Sequence, residues 1–256
     1  MIRQSFTISY FTVLEAIRNK LFIFTIVFIV AMFGISGFIG DLAITQTSQL
    51  ESAILGFVFR LLCNFLVSLF VITSTVREFD DKGFELLLSL SIPRWSYYFG
   101  KFLGFAMLSF IIAVLVSLPL FVYSGHEEVV FWGISLFCEL LIMASASLFC
   151  LFTFGNITIS FTIVSVFYLL ARSISAIRLM SENPLVTGGA MFKDFMKHMV
   201  EWVAVLMPDF NIFTRSDWLI YGNVHVNALT PVIGQTIIYV FLLSCASLFD
   251  LYRKNL

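Results

Sequence analysis

The chain has 256 residues, of which 60% are hydrophobic and 12% charged, and a mean hydropathy of +0.99; that is more apolar surface than a water-facing core can hide, which excludes a soluble globular domain and makes the bilayer its solvent. Its 15 Lys and Arg against 16 Asp and Glu give a formal net charge of -1, with no strongly basic face to take nucleic acid as a partner.

In chain order, Ile2, Phe6, Tyr10, Val13 and Ile17 recur at helical spacing, with Arg3, Gln4, Ser5, Glu15, Arg18 and Lys20 mostly elsewhere. This pattern predicts an amphipathic helix over 1–20 that lies on the membrane. It is not a short basic n-region, and no small-residue cleavage site follows, so no removable signal peptide is expected. Runs of roughly 20 apolar residues, enough to cross about 30 Å of hydrocarbon, then predict spans at 21–40, 53–76, 102–123, 130–152, 157–171 and 232–251. The breaks are polar: Asp41, Gln46 and Glu51; a charged stretch over 77–101; Gly125 to Glu128; and a tight reversal at Gly155 and Asn156. Residues 172–230 form the longest non-spanning region, read as short helices broken by Asn183, Pro184, Gly188, Gly189, Pro208 and Gly222. Within it Phe192, Phe195, Met196, Met199, Val203 and Leu206 share one helix face, either a lid over an exit path or an interfacial packing helix. The expected fold is a single all-α membrane domain over 1–256, with about six transmembrane helices, an N-terminal interfacial helix, a cytoplasmic helix in 77–101 and short outer helices before the last span.

Lys and Arg are retained on the cytoplasmic side of a membrane. Six spans put Arg3, Arg18, Lys20, Arg77, Lys82, Arg94, Lys101, Arg253 and Lys254 on one side, and the loops at 41–52 and 125–129 hold none, so both termini are expected in the cytoplasm. Arg172, Arg178, Lys193, Lys197 and Arg215 count against this, although a long connection bears less on topology than a short loop; five or seven spans also fit the pattern.

Two sets of residues stand out. Arg60, with Asn64 one turn on, lies inside the second span and Glu139 inside the fourth, at similar depth from the same boundary. Ionisable groups there are costly, so they either line a polar route or gate, or clamp two helices as an ion pair; Arg60 alone could instead snorkel. The other is the segment from Arg77 to Lys101, where Glu78, Asp80, Asp81, Lys82 and Gly83 lead into a short apolar helix that ends at Pro93 and Arg94. Glu85 favours that helix's N-terminus, and Leu86, Leu87, Leu88 and Leu90 give it an apolar face. That face fits a partner protein or the membrane surface and neighbouring spans equally well.

The stretch REFDDKGFELLLSLSIPRWSYYFGK resembles the Arg-Glu, acidic, Gly-Thr-Leu-Glu-Leu-Leu-Leu-Ser, Pro-x-x-Arg, Gly-Lys signature of type-2 ABC export permeases. Phe84 stands where that family often has Thr. LMPDFNIFTRSDWLIYG, from Leu206 to Gly222, is similar to the block before the last span in the branch associated with multi-copper enzyme maturation. The resemblance implies a bacterial inner-membrane permease in which Arg77, Glu78, Asp80, Gly83, Glu85, Leu86, Leu87, Pro93, Arg94, Gly100 and Lys101 belong to the region that couples to a separate ATPase. It further implies two copies of that ATPase and a second permease subunit, a homodimer by default, exporting or extracting a substrate. No Gly-x-x-x-x-Gly-Lys-Ser/Thr loop occurs, so ATP and Mg are expected on the partner and no cofactor in this chain.

Other chemistries find little support. Cys63, Cys138, Cys150 and Cys245 sit in apolar stretches as small hydrophobes, without metal-ligand spacing. His126, His198 and His225 are predicted outside the membrane, with no His-x-x-x-His pair, and the nine Met are scattered, so no metal site is expected. An intramembrane serine protease would need a histidine in a span, and an aspartyl protease two aspartates where only Asp250 qualifies. A channel would carry a polar stripe, and polar residues within the spans are sparse apart from Ser and Thr. A non-transporting scaffold or channel-like subunit without an ATPase is the remaining alternative to a permease.

Overall fold

The computed structural model describes residues 2–18, 23–28, 30–31, 34, 47–80, 93–122, 125–182, 198–204, 206–213 and 228–253. Among the described residues every regular element is helical. The helices are α1 (Ile2–Arg18), α2 (Thr47–Asp80), α3 (Arg94–Leu120), α4 (His126–Phe154), α5 (Ile157–Glu182), the short α6 (Phe210–Phe213) and α7 (Leu229–Arg253). Gly56–Phe79 of α2, all of α3 and α4, Ile157–Met180 of α5 and all of α7 are long and apolar enough to cross a bilayer. Within lipid a helix satisfies its backbone groups internally, which is why apolar runs of this length fold as helices. The chain is an all-α, multi-pass membrane protein. The span expected at 21–40 lies largely outside the described residues, where 23–28 are helical.

The two boundaries furthest from expectation lie where charged side chains are taken into the bundle. Helix α3 begins at Arg94, before the expected 102, since Lys101 is buried at 3% exposure beside carboxylates. Helix α5 runs past residue 171 to Glu182, and Arg172 lies with its guanidinium carbon 5.1 Å from the Phe57 ring centroid. The reversal at Gly155 and Asn156 forms as the sequence reads. Gly155 takes a left-handed φ of 67° and donates its N–H to Leu151 O at 2.8 Å, closing α4. The Asn156 side-chain oxygen then accepts the Thr158 N–H at 2.9 Å and caps α5.

Helix α4 is central: 78% of its most apolar stretch is buried, against 28% for α5 and 22% for α7. Around it pack α2, α3, α5 and α7. Aromatic edges fill the seams, with Phe70 and Phe105 at 6.0 Å between α2 and α3 and Phe110 and Phe137 at 5.7 Å between α3 and α4.

Helix α1 docks on α3 through its small residues. Ser5, Ser9, Thr12 and Ala16 are buried, whereas Phe6, Tyr10 and Ile17 of the expected apolar stripe are 57%, 64% and 48% exposed and face outward. The Ser5 hydroxyl donates to Ser96 O at 3.1 Å. A Cβ on Gly100 would lie 2.9 Å from the Ile8 Cβ, and one on Gly104 would lie 2.7 Å from the Thr12 Cβ, so Gly100-x-x-x-Gly104 is what admits the α1 backbone. Apolar burial gives no advantage between helices in lipid, and close packing of small residues takes its place. Gly104→Leu is therefore expected to release α1 at a cost of about 1–3 kcal/mol. Amide hydrogen exchange over 2–18 should rise in this variant and stay unchanged in Phe241→Leu, a change on an exposed face of α7; equal exchange in both would remove the seam from the account.

Candidate functional site

Two ionic clusters occupy opposite ends of the bundle. At one end Arg60 of α2, 1% exposed, meets Glu139 of α4, fully buried, with Arg60 Nη1 2.8 Å from Glu139 Oε2. The same guanidinium donates to Phe213 O at 2.9 Å and to Trp132 O at 3.4 Å, and its carbon lies 4.9 Å from the Trp132 ring centroid. Asn64, one turn beyond Arg60, donates to the second Glu139 oxygen at 3.0 Å and to Arg60 O at 2.8 Å. The Ser135 hydroxyl donates to the Phe213 carbonyl. Arg60 with Asn64, and Trp132 with Ser135 and Glu139, fall at helical spacings of three and four, so each helix presents one polar face to the other.

The carbonyl that Arg60 holds closes the short helix α6, whose Phe210 and Phe213 are fully buried. Phe210 lies 5.8 Å from the Tyr168 ring and 5.5 Å from Phe213. Asp209 starts this helix: its Oδ1 accepts the Asn211 N–H at 3.0 Å and the Ser175 hydroxyl of α5 at 2.8 Å. Residues 206–213 are thus wedged into the bundle and pinned on Arg60. Glu139 is held by Arg60 and Asn64, and Arg60 by Glu139, Trp132 and Phe213, so this geometry clamps α2, α4 and α6 together.

At the opposite end Lys101 of α3 lies 2.7 Å from Glu78 Oε2 of α2 and 3.9 Å from Glu15 Oε2 of α1. The Tyr97 hydroxyl donates to the same Glu78 oxygen at 2.9 Å. Arg94 Nη1 donates to Leu251 O at 2.9 Å and Tyr252 O at 3.1 Å, satisfying carbonyls that the C-terminal turn of α7 leaves open. Pro93, extended at φ -66° and ψ 141°, sits at the N-cap of α3. Helix α2 ends at Asp80 and α3 starts at Arg94, so both stems of the intervening segment are tied to each other and, through Glu15 and Arg94, to α1 and α7.

Of the residues singled out in the sequence, Arg60, Asn64 and Glu139 come together, and Glu78, Pro93 and Arg94 lie at the second cluster with Lys101. Arg77 is exposed in the last turn of α2, Asp80 ends that helix, and Gly83, Glu85, Leu86 and Leu87 lie outside the described residues. Tyr97, Glu15, Ser135 and Trp132 were not anticipated. Tyr97 and Ser135 stand one turn before Lys101 and Glu139, a spacing that could have drawn attention to them. The Phe213 contact uses its carbonyl and leaves no mark on side-chain pattern. Cys63, Cys138 and Cys150 are buried free thiols and Cys245 an exposed one; no three His, Cys, Asp or Glu side chains gather among the described residues.

The fold and these clusters define a helical, multi-pass membrane protein with an internally clamped core and a cross-braced loop stem. Searches of known protein families and of curated proteins match this chain to none of them.

Removing one partner of a buried pair strands a charge and costs about 3–5 kcal/mol, whereas apolar replacement of both is close to neutral. Glu139→Ala is expected to lower the thermal midpoint of the detergent-solubilised protein sharply, and Arg60→Met with Glu139→Leu to recover most of it. A double variant no better than the single one would show that Arg60 is needed for its grip on Phe213 and not for charge balance alone.

Proposed function

We propose that this chain is the transmembrane subunit of an ABC-type export system, coupling ATP hydrolysis by a separate ATPase to the export or extraction of a substrate across the bacterial inner membrane. The observation that carries this reading is the braced stem around residues 81–92. A loop that only connected two spans would need no such anchorage. Here Glu78 before it and Tyr97 and Lys101 after it are bonded together. Glu15 and the carbonyls capped by Arg94 extend the brace to α1 and α7. A force applied to the loop by a partner therefore reaches four helices at once.

The resemblance of 77–101 to type-2 permeases supports the same assignment, and since the sequence has no phosphate loop this reading assigns ATP and Mg to the partner. With both termini cytoplasmic, the stem faces the compartment that holds ATP. A six-span half-transporter needs a second half to enclose a pathway, so two copies of this chain with two ATPase subunits form the working unit.

Co-expression with the ATPase encoded beside this gene, followed by purification through a tag on one subunit, tests the reading. Wild type should hold the ATPase, and Glu85→Lys with Leu86→Asp should lose it while remaining inserted. Glu78→Gln should keep the ATPase bound but uncouple it, so that ATP no longer changes the exposure of cysteines engineered near Arg60. A well-folded wild type that brings down no ATPase would instead favour a scaffold.

A further inference from the structure

A cavity of about 490 Å³ opens between α5, residues 204–209 and α7, bordered by Ser175, Arg178, Leu179, Asp209, Gln235 and Tyr239. Gln235 lies six residues after the start of α7 at Leu229, about 9 Å along a helix that rises 1.5 Å per residue. Arg178 lies one turn before the end of α5 at Glu182. The cavity thus sits just inside the end of two spans, at the level where lipid head groups meet hydrocarbon. Polar and charged side chains at that level lie within reach of lipid head groups.

The chemistry of the wall is two-sided. Arg178 supplies a cation. Asp209 supplies a carboxylate and Tyr239 an aromatic ring, and the Gln235 side-chain oxygen is buried with no hydrogen-bond partner among the described residues. A buried acceptor of this kind calls for an N–H or O–H donor. A phosphate suits Arg178, and an ammonium suits Asp209, Gln235 and Tyr239. The ammonium must carry hydrogens, because a quaternary one would leave the Gln235 oxygen unsatisfied. Beyond the polar wall, Ile238 and Leu242 continue the Gln235–Tyr239 side of α7 and are 58% and 56% exposed, an apolar strip for a hydrocarbon tail.

We infer that this cavity binds the head group of a zwitterionic amphiphile, a phosphate joined to a primary ammonium, with its tail along α7. That such an amphiphile is also the cargo rests on the permease reading; that it binds does not.

The purified full chain, without any ATPase, is equilibrated with phosphatidylethanolamine, phosphatidylcholine and phosphatidylglycerol of identical acyl chains, and retained lipid is measured by native mass spectrometry. Wild type should retain phosphatidylethanolamine about tenfold better than phosphatidylcholine, the ratio expected from one hydrogen bond to a charged group, and also better than phosphatidylglycerol, which has hydroxyl donors but no ammonium for Asp209. Gln235→Leu, an apolar change suited to a span, should abolish the preference over phosphatidylcholine, and Arg178→Gln should weaken both zwitterionic lipids. Equal retention of all three lipids by wild type, or an unchanged preference in folded Gln235→Leu, would overturn the site. Loss of ATPase capture with intact lipid selectivity would overturn the permease reading and leave the site standing.

Discussion

A guanidinium within hydrocarbon must carry its solvation with it, and Arg60 does so entirely through the protein. Its counterion comes from α4 and its carbonyl acceptors from α4 and from the end of α6. Because these partners lie on segments far apart in sequence, one side chain sets the lateral distance between α2 and α4 and also the depth of α6. Glu139 is held in turn by Asn64, so its second oxygen is not stranded. The pair adds less net stability than its short distance suggests, since desolvation offsets much of the attraction. What it supplies is a penalty on every arrangement in which the helices slide.

The other end is built on different terms. Between α1 and α3 the contact depends on closeness, with two glycines and a row of hydroxyl and methyl groups allowing backbones to approach where larger residues would hold them apart. Lys101 joins this seam to α2 through Glu15 and Glu78, and Arg94 brings in α7. The result is a rigid collar around the ends of the charged loop, while the clamp near Arg60 braces the bundle at the far side.

This division suits a device that takes a push at one face and answers at the other. Rigid helices with two braced ends move as bodies, and interfaces that must rearrange are better placed on surfaces left uncovered. Helices α5 and α7 are the least buried of the spans, and the cavity near Arg178 and Gln235 opens between them. On the readings proposed above, a second subunit and an amphiphilic ligand would approach from that side.

Much of this architecture was legible in the sequence. Apolar run length announced spanning helices, because lipid offers backbone groups no other partner. Gly155 and Asn156 announced their reversal through the left-handed conformation one allows and the cap the other supplies. The meeting of Arg60 with Glu139 was one of the alternatives that similar depth in two spans left open. Tertiary structure alone decided which face of α1 is buried, since the aromatic stripe that signalled an interfacial helix turns outward and the modest Ser and Thr face makes the contact. It also decided where α3 begins and α5 ends, because a charge reads as a boundary until a partner from another helix neutralises it. The Phe213 carbonyl and the placing of Gln235 and Arg178 on one cavity belong to the same class: they depend on distances between segments, which local pattern does not encode.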